Sequence, residues 1–165
     1  MREFFHPTNF FTDKAEAWLD EILRKPYRQG VNMGRETFDR SLLDADPPTA
    51  ELLRLVGNDV RGRVIKTLPG MLFDWHVDSN VYEDRQCVLN MLLTPGVGTS
   101  LFRKRSETNV RWFEVTELKY DPNRWYLLNT SMSHCFMNTD PAASRYVISL
   151  DIKGLNYEQA LEILS

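Results

Sequence analysis

Three histidines occur in the 165 residues, at positions 6, 76 and 134. His76 is followed two residues later by Asp78, and in a β-strand residues two apart point to the same face. Imidazole and carboxylate then converge on one point while Val77 turns away. A second histidine added to such a pair makes a facial set of two nitrogens and one oxygen. That set suits non-haem iron(II) and leaves positions open for other ligands. His134 is the remaining histidine in the strand-rich part of the chain. The His-x-Asp pair alone is a weak signal, because three histidines among 23 acids give about 0.4 such pairs by chance. Taken singly, the pair reads equally well as a surface contact at a strand end. His134 alone reads as a satisfied core or loop histidine.

Arg145 follows His134 by 11 residues and opens the run Arg145-Tyr146-Val147-Ile148-Ser149-Leu150-Asp151-Ile152. Strand alternation puts Arg145, Val147, Ser149 and Asp151 on one face, and Tyr146, Ile148, Leu150 and Ile152 on the other. An arginine on the inward face of a sandwich needs an anion. Its planar fork suits a carboxylate held bidentately. With a metal nearby, that carboxylate can belong to a ligand that also chelates the metal. Arg145 alone reads as one half of a structural salt bridge. Ser149 is the nearest hydroxyl on the arginine face, and Asn90 is the candidate second polar contact, although it also reads as the cap of a bulge.

These residues need strands to position them. Strand-like runs occupy Arg61–Leu68, Leu72–Val77, Gln86–Leu93, Ser100–Arg103, Val110–Val115, Arg124–Asn129 and Tyr146–Ile152. Turn residues punctuate them at Pro69-Gly70, Pro95-Gly96, Gly98, Asp121-Pro122-Asn123 and Asp140-Pro141. Seven or eight short strands at this spacing predict a sandwich or jelly roll. The first third reads as helical. Thr12 caps a helix through Trp18 and Leu23 that stops at Pro26, a turn-rich stretch with Gly30 and Gly34 follows, and Thr49 opens a second helix that ends near Gly57. Asn156 begins a last amphipathic helix. One domain over 1–165 is expected: a helical part over 1–60, a jelly-roll core over 61–152 and a C-terminal helix over 153–165. The helices are expected to pack on one sheet and leave the mouth of the roll open.

Composition excludes some classes. A net charge of −3 gives no global pull toward nucleic acid or an anionic membrane. Arg103-Lys104-Arg105 is a local exception, read as a solvated hairpin tip more readily than as a site for an acidic partner. Two cysteines, Cys87 and Cys135, make no disulfide framework or zinc knuckle, which suggests reduced thiols and a cytoplasmic protein. No apolar run approaches the ~20 residues that cross a bilayer, and the first residues lack a signal-peptide apolar stretch. Trp75 and Trp125 read as core, Cys135 as packing turned away from His134, and Asp13/Glu16 and Glu158/Glu162 as solvated helix faces.

The order His76-x-Asp78, His134, Arg145 resembles the motif series of the iron(II)/2-oxoglutarate-dependent dioxygenases. Leu68-Pro69-Gly70-Met71-Leu72-Phe73-Asp74-Trp75-His76-Val77-Asp78 is similar to the strand that delivers the first two ligands there. Val88–Leu93 followed by Gly98–Phe102 is similar to the next strands, and Trp125–Asn129 through His134, Asn138 and Arg145 resembles the proline hydroxylase and aspartyl/asparaginyl hydroxylase branch. The resemblance covers about residues 61–152. It implies a double-stranded β-helix (a cupin-like jelly roll), with iron(II) on His76, Asp78 and His134, and 2-oxoglutarate bound through Arg145 with Asn90 and Ser149. It also implies O2 as the oxidant and a small-molecule or peptide substrate, an amino acid or peptidyl residue, hydroxylated with release of succinate and CO2. The sequence departs from the family at Val147, where many members carry a polar residue. Two other classes fit the same residues. One is a cupin-like metalloprotein whose chemistry does not use 2-oxoglutarate. The other is a non-catalytic β-sandwich binding module, in which His76, Asp78 and His134 would lie far apart.

Overall fold

The computed structural model of the chain describes residues 3–24, 33–57, 60–78, 86–106 and 113–165. The helix stop at Pro26, the turn at Gly30, the first residues of the expected Val110–Val115 strand and the loop that follows Asp78 lie outside them. In chain order the elements are β1 (Phe5–Phe11), α1 (Ala15–Arg24), β2 (Met33–Thr37), α2 (Arg40–Asp44), α3 (Pro47–Val56), β3 (Val60–Thr67), β4 (Cys87–Leu92), β5 (Thr99–Arg105), β6 (Phe113–Leu118), β7 (Arg124–Asn129), β8 (Ser133–Met137), β9 (Arg145–Ile152) and α4 (Tyr157–Leu164). The fold is mainly β with flanking helices.

A six-stranded sheet runs β1-β7-β4-β9-β3-β2, and a three-stranded sheet runs β6-β5-β8. All strand pairs are antiparallel. From β3 onward the chain passes back and forth between the two sheets, which is the winding of a jelly roll. Alternation decides what each sheet face meets. Along β9, Tyr146, Ile148, Leu150 and Ile152 join a core with Trp18, Leu52 and Leu53 from the helices. The other face of the large sheet meets the small sheet through Phe5, Val88, Phe102, Leu118, Tyr126 and Leu128. The helices thus cover the outer face of the large sheet, and its inner face carries Arg145, Val147, Ser149 and Asp151 of β9. Each fully buried aliphatic side chain in these layers contributes about 1.5–3 kcal/mol.

Three local expectations change. The first third is not helical throughout, because β1 and β2 lie there and form the two edges of the large sheet. Pro7 sits in β1, and an edge strand tolerates a residue without an N–H. Asp46, not Thr49, caps α3. Its carboxylate accepts the Thr49 N–H at 3.1 Å, with prolines in the first turn. Thr49 is buried instead, where its hydroxyl accepts the Trp125 indole N–H at 3.0 Å. Finally, Leu72–Val77 is not a continuous strand. It touches β8 through two isolated bridges, Leu72 to Met137 and His76 to His134. Between these bridges this segment advances four residues and β8 only three, so the ladder slips out of register. Asn156 caps α4 with a capping box, as expected.

Candidate functional site

The two bridged segments bring the histidines face to face. The backbone N–H groups of His76 and His134 donate to each other's carbonyls at 3.0 and 2.9 Å, and the ring centroids lie 4.3 Å apart. Asp78 arrives as the chain leaves His76, its N–H donating to the Thr130 carbonyl at 3.0 Å. Asp78 Oδ1 is 3.4 Å from His76 Nε2 and 3.9 Å from His134 Nε2. One ligand atom from each of the three falls within 4.8 Å of the others. A binding module with the three far apart is therefore not what the chain builds.

The tautomers follow from the backbone. His76 Nδ1 lies 2.8 Å from the Asp74 carbonyl, and His134 Nδ1 lies 2.9 Å from the Met132 carbonyl. A carbonyl only accepts, so each Nδ1 donates its N–H there and each Nε2 is the ring nitrogen turned toward Asp78. Two imidazole nitrogens and a buried carboxylate oxygen gather around one point, a donor set that suits a metal cation. The walls are apolar: the Phe73 ring stands edge-on to His76 at 4.9 Å, and the Phe102 ring stacks on His134 at 5.9 Å. His134 is 1% exposed, whereas the His76 side chain is 23% exposed, so the site opens on the His76 side.

Arg145 lies deeper. It is 1% exposed, and burial pushes its pKa down, partly offset by Tyr120. Its Nη2 donates to Ser100 Oγ at 3.2 Å, and Ser100 Oγ lies 3.1 Å from the Tyr120 hydroxyl. The guanidinium sits over the Tyr120 ring at 5.7 Å and the Phe136 ring at 5.6 Å. Among the described residues no carboxylate pairs with it, and its Nε has no hydrogen-bond partner. A full positive charge buried without an anion is costly, so this pocket fits an incoming carboxylate. Phe136 also stands 5.6 Å from His134 and 6.1 Å from His76, so its ring lines the space between guanidinium and histidines.

Asn90 and Ser149 are both buried and sit opposite each other in the β4–β9 register. Ser149 is four residues along β9 from Arg145, about 13 Å at strand rise. Neither residue is among those that contact the guanidinium. Among the described residues Asn90 Oδ1 has no hydrogen-bond donor. The groups at Arg145 are Ser100 and Tyr120, with Thr67 opposite it in the β3–β9 register, its hydroxyl without a hydrogen-bond partner among the described residues. Ser100 was readable from the alternation of β5 with Phe102; Tyr120 stands beyond the end of β6 and carried no local signal. Val147 occupies the position between Arg145 and Ser149 and is buried.

Gly98 makes room for the arginine. Its φ is +71°, and a Cβ there would stand 2.8 Å from Arg145 Cδ and 2.3 Å from the Met137 carbonyl oxygen. Behind it, buried Asn138 donates to the carbonyls of Thr67, Leu68 and Ala143, tying the β8–β9 turn to the end of β3. Trp125 is core. Trp75 is not: the Arg103 guanidinium lies 4.5 Å from its ring and 4.6 Å from that of Phe113. Arg103 also donates to Ser133 Oγ at 3.1 Å, and Lys104 pairs with Glu3 at 3.2 Å, so these two cations are engaged within the chain rather than at a solvated tip. Cys135 is buried, and burial raises its pKa.

No protein-family sequence model matches the chain, and no curated protein matches it by sequence. Solved structures do match in fold. A prolyl-4-hydroxylase from Pseudomonas putida superposes with a TM-score of 0.62 at 15% identity, covering 90% of this chain and 91% of the other. HygX from Streptomyces hygroscopicus, solved with nickel and 2-oxoglutarate bound, gives 0.60 at 10% identity over 93% and 84%. An oxidoreductase of the 2OG-Fe(II) oxygenase family from Burkholderia pseudomallei gives 0.59 at 13% identity over 85% and 79%. The jelly-roll fold expected from the motif order is the fold these proteins share.

Proposed function

We propose that the chain is an iron(II)- and 2-oxoglutarate-dependent oxygenase, a single domain over 1–165, that hydroxylates an amino acid or peptidyl residue. The observation that carries this reading is Arg145. A metalloprotein with other chemistry has no use for a buried, unpaired guanidinium in the same cavity as its metal, whereas a dicarboxylate co-substrate needs one.

In this reading His76, Asp78 and His134 hold iron(II) through Nε2, a carboxylate oxygen and Nε2. The bound metal with 2-oxoglutarate and O2 supplies the oxidising chemistry, and the co-substrate leaves as succinate and CO2. The chain's own part is geometry and exclusion of water. The Asp74 and Met132 carbonyls fix both imidazole tautomers. Arg145, Ser100 and Tyr120 receive the distal carboxylate, and Phe136 fills the flank between the two ends. Asn90 and Ser149, buried and paired in the β4–β9 register, are assigned to the flank of the co-substrate. No described helix is long and apolar enough to cross a membrane. Two free thiols, Cys87 and Cys135, support a cytoplasmic setting.

The test is succinate formation. Protein supplied with iron(II), 2-oxoglutarate and O2 should release succinate slowly without substrate and faster with one, and His76→Ala should abolish both. Folded, iron-loaded protein that releases no succinate with or without a panel of amino acids and peptides contradicts the proposal.

A further inference from the structure

The surroundings of Arg145 hold more hydrogen-bond donors than the chain uses. Arg145 Nε and Thr67 Oγ1 are both buried, and neither has a hydrogen-bond partner among the described residues. The two residues face each other in the β3–β9 register. Facing residues of an antiparallel pair share one side of the sheet and hold their Cβ atoms about 4.5–5.5 Å apart. Ser100 and Tyr120 add to the count. Their hydroxyls lie 3.1 Å apart, and Ser100 Oγ already accepts from Arg145 Nη2. One of these O–H groups donates to the other, which leaves the second proton free to donate elsewhere. Thr67, Ser100 and Arg145 are all too buried for bulk water to answer them.

A buried guanidinium with spare donors around it and no carboxylate calls for an anion whether or not a co-substrate is present. One guanidinium balances one negative charge, so a divalent oxyanion would keep a charge unpaired. Space is short as well. A Cβ at Gly98 would stand 2.8 Å from Arg145 Cδ, and the Tyr120 and Phe136 rings cover the guanidinium at 5.7 and 5.6 Å. We propose that a single chloride ion binds at Arg145 and Thr67 when 2-oxoglutarate is absent, and that chloride and the distal carboxylate of 2-oxoglutarate exclude each other. Chloride accepts from any direction, which suits N–H and O–H donors that come from three strands, Thr67 on β3, Ser100 on β5 and Arg145 on β9. The ion site needs no metal. Its competition with the co-substrate rests on the oxygenase reading and makes chloride a regulator of co-substrate binding.

The experiment uses the full chain in two forms. Metal-free protein is unfolded with urea in mixtures of potassium gluconate and potassium chloride at one ionic strength, gluconate being too large for the site. Chloride should raise stability with the logarithmic dependence expected of one ion that binds only the folded state. Arg145→Met should abolish the rise. Thr67→Val should move its onset to about 2- to 10-fold more chloride, the weight of one neutral hydrogen bond. In zinc-loaded protein, calorimetry should show the apparent Kd of 2-oxoglutarate rising linearly with chloride. No rise over gluconate, a rise that survives Arg145→Met, or one seen only with zinc bound overturns the inference. So does an onset unmoved by Thr67→Val, or a 2-oxoglutarate affinity indifferent to chloride. If zinc-loaded protein binds no 2-oxoglutarate in gluconate alone, the oxygenase reading fails instead, and the urea curves still decide the ion.

Discussion

Arg145 and Asp78 carry opposite charges into one interior; Asp78 has His76 and His134 beside it, whereas no carboxylate among the described residues pairs with Arg145. For Arg145 this sets a trade-off between stability and function. Burial disfavours its charged form in the folded state. Arg145→Met should therefore leave the ligand-free fold as stable or make it more stable by about 1 kcal/mol or more, while 2-oxoglutarate affinity falls at least ~100-fold. Urea melts and calorimetric titration of the zinc-loaded protein check both halves. A strongly destabilised variant would mean that the guanidinium has a structural partner.

Cys87 offers a pH test of the core. Burial, then the nearby Glu158 carboxylate, push its thiol up from an ordinary 9.0 to about 12. The folded state thus holds the proton that the unfolded state releases. Stability from this group is whole below about pH 9 and is lost as pH rises toward 12, with a slope bounded by about 1.4 kcal/mol per pH unit for one proton. Cys87→Ala should flatten that alkaline slope in melts taken between pH 8 and pH 11, roughly the accessible part of the window. An unchanged slope would assign it to other groups.

At the scale of elements, the weak point is the segment that carries His76. It has bridges where a strand would have a ladder. Arg103 compensates from outside the cavity: it stacks on Trp75, next to His76, and donates to Ser133, next to His134. Arg103→Met should lower zinc affinity roughly tenfold, the usual size of an effect transmitted through a ligand's support, with 2-oxoglutarate affinity of the metal-saturated protein nearly unchanged. Gly98 is the counterpart at the closed end. Gly98→Ala forces a side chain into left-handed backbone and against Arg145. It should cost about 1–3 kcal/mol of stability and weaken 2-oxoglutarate more than zinc.

The same elements show what a sequence can reveal. β9 was legible because both its faces are committed, so alternation separated Arg145 and Ser149 from Ile148 and Leu150. His76 and Asp78 were legible as a pair, but their segment was misjudged, since a register slip against β8 is a property of two segments together. β1 and β2 were missed because Pro7 and Gly34 argue locally against strands, and only the partner strands overrule them. Asn90 lies in a clear strand and was legible as a candidate; Tyr120, outside any strand, was not. Tyr120 reaches Arg145 only through the fold of β5 and β6.

At the scale of the molecule, helices cover one side of the large sheet and the small sheet the other, and Arg145 and the triad stand on either side of the Phe136 ring. Metal and co-substrate should then bind in an order. 2-Oxoglutarate at 100 times its Kd should stabilise the zinc-loaded protein by about 2.7 kcal/mol and the metal-free protein by far less, because the metal end of the cavity supplies half the grip. Thermal melts with each ligand alone and both together measure this coupling.

The most direct test of the whole account is an anaerobic titration of 2-oxoglutarate into iron(II)-loaded protein, followed by visible absorption. The account predicts a weak charge-transfer band that saturates at one equivalent and is lost in His76→Ala. Folded, iron-loaded protein that shows no band and no 2-oxoglutarate binding would contradict it.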